Sequence, residues 1–345
     1  MIRSNSEGDI YIEEMPLLLV HLREEEKGAD ARLSEVLSYA LDGYAYETAT
    51  EISAFEDYVN RWRRLEKTQN RKNPVQGRIL FAVPLGTSGI NLELYRLIRF
   101  LREHPDFLNG FVGGLLVDSE NDLYSKSAAK DLVFAANCAG CAFVGRPLVE
   151  GTRTLSNYTI VSNNLGTDLM GAYRESAAGL VKEVLGTDCV RKKCPKVLVL
   201  HASSHKTSNT YAIWNRVKEQ LPEMEIREIG LRNGTLSDCA GCPYKMCLHF
   251  GEQGSCFYGG VMVEDVYPAV READAIVMLC PNYNDALSAN LTAFINRLTS
   301  LFRTTRFYDK ALFAVVVSGY SGSDIVAEQL IAALNMNKTF YLPGQ

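Results

Sequence analysis

Residues 276–298 read IVMLCPNYNDALSANLTAFINRL, and residues 79–101 read ILFAVPLGTSGINLELYRLIRFL. The two align without a gap, with Pro84 on Pro281, Leu94 on Leu291 and Ile98 on Ile295. Each is an apolar strand run, a loop bearing proline, then apolar residues at helical spacing. Working outward, LLLVH (17–21) matches KVLVLH (196–201). KDLVFAANCAGCAF (130–143) matches EQLIAALNMNKTF, with Phe143 over Phe340. The pattern predicts one fold present twice.

In the first copy the periodicity predicts strands at 16–21, 44–49, 78–83, 111–118 and 141–146. Helices are expected at 30–41, 54–66, 90–103, 124–138 and 168–185. In the second, strands are expected at 196–201, 224–229, 275–280, 311–318 and 338–342, with helices at 208–220, 263–272, 287–301 and 323–335. Short strands alternating with helices imply α/β architecture: two tandem doubly wound five-stranded parallel sheets, strand order 2-1-3-4-5. Domains are expected at 1–190 and 191–345, joined through GTDCVRKKCP (186–195), with a Cys-rich insertion at 239–256 in the second. The second copy has no predicted final helix, so one face of its first strand needs cover from elsewhere.

At 345 residues, 47% hydrophobic and 22% charged, the composition is that of a globular protein with two cores. A net charge of −5 without a dense basic block gives no case for nucleic acid. No apolar run reaches membrane-spanning length. The acidic, polar start MIRSNSEGDIYIEEMP is unlike a secretory signal. A cytoplasmic location is expected, where nine cysteines serve as thiols or metal ligands.

Ligands of a doubly wound sheet sit beyond the carboxyl ends of its strands. Three loops of the second copy reach that rim. The first, HASSHKTSNTYAIW (201–214), offers Ser203, Ser204, His205, Lys206, Ser208, Asn209 and Thr210. Hydroxyls, a cation and N–H groups at a helix start suit a phosphate, although helix capping uses the same residue types. The second, CPNYNDALSANL (280–291), offers Pro281, Asn282, Tyr283 and Asn284 to the edge and face of a flat heterocycle. The third, VSGYSGSD (317–324), offers Ser318, Gly319, Tyr320 and Gly322, its glycines allowing close backbone approach. The first copy reads HLREEEKGAD, VPLGTSGINLEL and VDSENDLYS at these places. Glu24, Glu25 and Glu26 would repel a phosphate there, so that copy is expected to lack a cofactor site.

Cys239, Cys242, Cys247 and Cys256 follow C-x2-C-x4-C-x8-C. Four thiolates in so short a span suit an iron–sulfur cluster, a zinc ion or redox-active thiols. Cys280, at a strand end, reads as a small buried apolar residue.

These loops resemble the flavodoxin-like family of NAD(P)H-dependent FMN reductases. The family's G-S-P-R-x-x-G-N-T loop is matched by Ser203, Asn209 and Thr210, with Ser208 for the usual Gly. Its A-D-x-I-V-x-x-S-P-x-Y-x-x-x-x-S-A-x-L-K-x-F-I-D-R motif is matched from Ala273-Asp274 through Arg297. Pro281, Tyr283, Ser288, Ala289, Leu291, Phe294 and Ile295 fit; Cys280, Thr292 and Asn296 depart. The resemblance covers about 195–343, and the first copy only as a degenerate version. It implies FMN, with phosphate on the first loop and the ring against the other two. It implies NAD(P)H as electron donor and a small molecule or redox protein (a quinone, a ferredoxin, free flavin) as acceptor. The fused first copy would act as the partner of an intrachain pseudo-dimer, compatible with further homo-oligomerisation. The cysteines resemble those of the iron–sulfur flavoproteins, with a wider spacing, which implies a [4Fe–4S] cluster ahead of zinc. No catalytic acid or base is demanded, because the flavin carries the chemistry. A non-enzymatic electron carrier and a zinc-stabilised scaffold without flavin are the alternatives.

Overall fold

The computed structural model describes residues 15–23, 27–68, 76–188, 192–203 and 208–344. The chain forms two compact units. One comprises the residues up to Ala128 with Ala139–Cys141 and Leu148–Thr187, the other Ala129–Cys138, Ala142–Pro147 and the residues from Asp188 onward.

The first sheet is built from β1 (Leu17–His21), β2 (Tyr46–Ala49), β3 (Gly77–Leu85), β4 (Phe111–Ser119) and β5 (Ala142–Gly151). Its order is β2-β1-β3-β4-β5, as the alternating pattern predicts. The helices are α1 (Lys27–Ala40), α2 (Ile52–Thr68), α3 (Leu92–Glu103), α4 (Ser125–Cys138), α5 (Thr159–Leu165) and α6 (Leu169–Gly186). Helices α1 and α6 lie together over β3 and β4. Gly114 lets α6 approach, since a Cβ there would sit 2.9 Å from Val184 and 3.0 Å from Leu180. Helices α2 and α3 meet through the Phe55 and Phe100 rings, 5.9 Å apart.

The second sheet is built from β6 (Lys196–His201), β7 (Glu225–Gly230), β8 (Ala275–Pro281) and β9 (Ala311–Val317), in the order β7-β6-β8-β9 and parallel throughout. Its helices are α7 (Asn209–Glu219), α8 (Tyr244–Glu252), α9 (Tyr267–Glu272), α10 (Ala289–Phe302) and α11 (Ser323–Leu330). Trp214 of α7 packs on Val197, Val199, Ala275, Val277 and Leu279. Helices α9, α10 and α11 bury Tyr267, Phe294 and Val326 against Leu198, Leu200, Met278 and Cys280 on the opposite face. This α/β arrangement of two parallel sheets is that of tandem flavodoxin-like domains.

Three expectations change. The fifth strand of the second sheet is reduced to single bridges: Tyr341 parallel to Ala311, and Leu342 antiparallel to Phe143 of the same unit. Thr339 stands at φ +69, out of the extended region, and Pro343 brings no N–H, so no longer strand forms. The helix expected at 263–272 is a π turn (Met262–Val266) running into α9, and that at 323–335 is α11 followed by a π turn (Ile331–Met336). The cysteine insertion contains α8, which no apolar periodicity announced. Beside α7 the described residues place no counterpart of α6, and Phe313 on β9 is 48% exposed.

Candidate functional site

The three loops leave the carboxyl ends of β6, β8 and β9. The first follows His201. Ser204, His205 and Lys206 lie outside the described residues, as do Glu24–Glu26 of the first copy. Ser203 lies on the near side of that gap. Its Oγ is shut off from solvent with no hydrogen-bond partner among the described residues. On the far side Ser208 is the N-cap of α7, its Oγ accepting from the Tyr211 N–H at 3.2 Å. The Ser208 hydroxyl is thus committed to capping. Asn209 and Thr210 form the first turn, Thr210 buried at 1% exposure. An orphaned hydroxyl beside a helix start is a fitting partner for an anionic oxygen.

The second and third loops are tied together. Pro281 ends β8 opposite Val317 of β9, and the Asn282 N–H donates to the Val317 carbonyl at 2.8 Å. The Asn282 Nδ2 donates to Ser318 Oγ and the Ser321 carbonyl at 3.1 Å each, and to Asp285 Oδ1 at 3.0 Å. Ser318 Oγ also donates to the Ser321 carbonyl. The amide read in the sequence as a ligand contact is therefore the fastener of the two loops; its Oδ1, buried and without a partner among the described residues, is left for a ligand. Asn284 and Asp285 take φ +58 and +54, folding Tyr283 back onto Ala286. That turn is pinned from α11 by Gln329, whose Oε1 accepts from the Leu287 N–H at 3.0 Å and whose Nε2 donates to the Asp285 carbonyl at 3.1 Å. Sequence reading missed Gln329, because nothing local marks a side chain that acts on a loop 42 residues earlier.

Tyr283 is 63% exposed and Tyr320 fully exposed. Two free aromatic faces on fixed loops suit a flat ring. Gly319 has nothing within 4 Å of where a Cβ would stand, and Gly322 sits at φ +85. Ser288, the N-cap of α10, makes no capping bond, and its Oγ is buried without a partner among the described residues. Cys280 is buried, its thiol pushed up to about 12 by desolvation. It is a neutral core residue, not a nucleophile. The residues present therefore fit FMN: an orphaned hydroxyl, Ser203, at the first loop, and open aromatic and glycine surface with the orphaned Asn282 Oδ1 and Ser288 Oγ at the other two.

At the same rim of the first unit two pairs of charged groups are seen among the described residues. His21 Nε2 lies 2.8 Å from Asp30 Oδ1. Arg32 Nε donates to both Asp118 oxygens at 3.1 and 2.9 Å, and its Nη2 to Oδ1 at 2.6 Å. Asp118 is fully buried at the end of β4.

The described residues lend the metal-site expectation no support. Among the described residues, no three His, Cys, Asp or Glu side chains form a group that would hold a metal ion, Cys239, Cys242, Cys247 and Cys256 included. In the sequence, helix α8 falls between the loop bearing Cys239 and Cys242 and the later Cys256, with Cys247 in its first turn. The four thiols lie around two tyrosines. Desolvation first, then Cys242, Cys256 and Cys239, push the Tyr258 hydroxyl up. Burial, Cys256 and Cys247 do the same to Tyr267, which donates to the Arg297 carbonyl at 2.6 Å.

Beside the first loop, Glu228 on β7 accepts from Tyr211 Oη at 2.8 Å, Trp214 Nε1 at 3.2 Å and Lys218 Nζ at 2.7 Å. Burial raises its pKa, and the three hydrogen bonds together outweigh that, leaving it below the ordinary value of 4.5. A depressed carboxylate contributes stability that is present above the unfolded value and lost as pH falls through the folded one. The melting-temperature gap between the wild-type chain and Glu228→Gln should therefore be full near neutral pH. It should close on acidification below 4.5. A gap independent of pH would show that the charge is not what stabilises.

No helix among the described residues is long and apolar enough to cross a membrane. No curated protein matches the chain. Among solved structures, a chain described as a GCN5-related glucosamine N-acetyltransferase region of a fungal multi-domain GH3 beta-N-acetylglucosaminidase is similar at 10% identity and a TM-score of 0.18. The likeness covers 92% of this chain but only 42% of that one, and is too slight to carry any argument. The informative match is to a family: residues 195–345, which hold all three loops, match the model of the NADPH-dependent FMN reductases, and that part of the chain is similar to this family.

Proposed function

We propose that the second unit binds FMN and works as an NAD(P)H-dependent oxidoreductase, located in the cytoplasm and passing electrons to a small molecule or redox protein. The family match supports FMN-dependent NAD(P)H oxidoreductase activity in general. The observation that carries the reading to particular residues is the buried Ser203 Oγ, without a partner among the described residues, on the loop that leads into α7. Ser203 and the first turn of α7 would hold the phosphate. Asn282, Ser318 and Gln329 keep the second and third loops fixed, so that Tyr283, Tyr320 and Gly319 present one surface to the ring. FMN bound there supplies the redox chemistry, and the protein supplies binding and orientation. Among the described residues no metal-holding group is found, so no electron step is routed through the four cysteines.

The test is a visible spectrum of protein purified without oxygen, with iron, sulfide and zinc assayed on the same sample, followed by FMN titration. A flavin spectrum and NAD(P)H-driven turnover are expected. Ser203→Ala should weaken FMN about tenfold, by loss of one hydrogen bond to a charged group. Its melting temperature should hold, because the hydroxyl has no partner to lose among the described residues. A colourless protein that takes up no FMN overturns the reading. Stoichiometric iron and sulfide would show that the cysteines close around a cluster when it is supplied.

A further inference from the structure

We infer that Glu228, which touches no ligand, is the positioning residue for the phosphate end of this site, an inference that rests on the flavin reading above. Glu228 lies on the α7 side of β7, with Ile226 of the same strand face packed against Trp214's cluster. Its three donors, Tyr211, Trp214 and Lys218, are spaced three and four apart and so share one helix face. Both carboxylate oxygens are engaged: Oε2 by Tyr211, Oε1 by Trp214 and Lys218. One rigid strand residue thereby grips two turns of α7, against rotation and against sliding.

The grip reaches the end of the helix that matters. Tyr211 is also the residue whose backbone N–H is bound by the Ser208 cap. Its ring meets His201, at the carboxyl end of β6, with centroids 5.3 Å apart. His201 in turn lies across Gly230 at the end of β7, where a Cβ would come within 3.3 Å of its ring. Ser203, the cap and the clamp are thus linked through Tyr211 and His201. Favourable contact between an anion and a helix start decays within a turn, so a small displacement of α7 would be felt by a phosphate. It would not be felt by a ring held on loops two and three.

The experiment is Glu228→Ala in the full chain, titrated in parallel with FMN and with riboflavin, which has the ring but no phosphate. FMN affinity should fall about tenfold while riboflavin affinity stays within about twofold, the split expected when only a charge-assisted contact is disturbed. Glu228→Gln, which keeps an acceptor oxygen, should recover part of the loss. Equal weakening of both ligands, or no change in either, would sink the assignment, since a merely structural role predicts one of those. Should Glu228→Ala fail to fold, Tyr211→Phe removes a single bond of the clamp and must show the same split in smaller degree. A wild-type chain that binds neither ligand removes the flavin reading itself. One that binds FMN more tightly than riboflavin, with an unchanged variant, removes only the role of Glu228.

Discussion

Arg32→Ala should lower the unfolding free energy by about 3–5 kcal/mol, seen as a lower urea midpoint at an unchanged slope. Asp118 is fully buried, and Arg32 gives it three of its contacts while donating further to the Arg153 and Ser119 carbonyls at 3.1 Å each. Burial already pushes the Asp118 carboxyl up, against the pull of Arg32. Tyr173 alongside is pushed well up by burial and by the Asp118 charge. Without the guanidinium, the carboxylate is a buried charge without a countercharge. Its folded pKa, already above the ordinary value, then rises further, so the variant should lose more stability than wild type as pH climbs through that interval and recover part of it in acid. The double variant Arg32→Met with Asp118→Leu should regain most of the loss, because apolar replacement of both partners removes the stranded charge. A cost below about 1 kcal/mol would class the pair with ordinary surface bridges.

Gly322→Ala should weaken FMN binding by at least about tenfold. At φ +85 any side chain is strained, at roughly 1–3 kcal/mol. The new Cβ would stand 2.0 Å from Asp285 Oδ1 and 3.0 Å from Asn282 Nδ2. Both atoms belong to the fastening of the second and third loops. Relief of the clash must break the Asn282–Asp285 bond or move the third loop, and either separates the two aromatic faces. Gly319→Ala is the comparison: it has open space and no left-handed backbone, so its melting temperature should match wild type. If Gly322→Ala binds FMN as wild type does, the two loops are not the ring's seat.

Both strand orders were legible in the sequence because parallel, two-faced strands leave long apolar runs such as ILFAV and IVMLC. The fifth strand of the second sheet was not, because the residues around Phe340 resemble strand while Thr339 and Pro343 limit it to bridges. The rim loops were found by their turn and polar residues, but their division of labour was not. Asn282 and Ser208 carry residue types that suit ligands, yet spend their bonds on the loop and on the helix cap. Glu228 and the Arg32–Asp118 pair left no local signal. One is the second of two acids in an edge strand, and the other joins residues 86 apart. The four cysteines show the reverse case: a clear spacing, with a helix between them that the spacing did not announce.

The tie between Asn282, Ser318 and Ser321 also bears on how quickly a ligand is captured. Loops that are cross-braced before any encounter surrender little motional freedom when a ring arrives. On the proposed flavin reading, an arriving ring would find its seat already shaped, and its association rate would be governed by collision and orientation. Differences in affinity among flavins would then appear in how long each one stays.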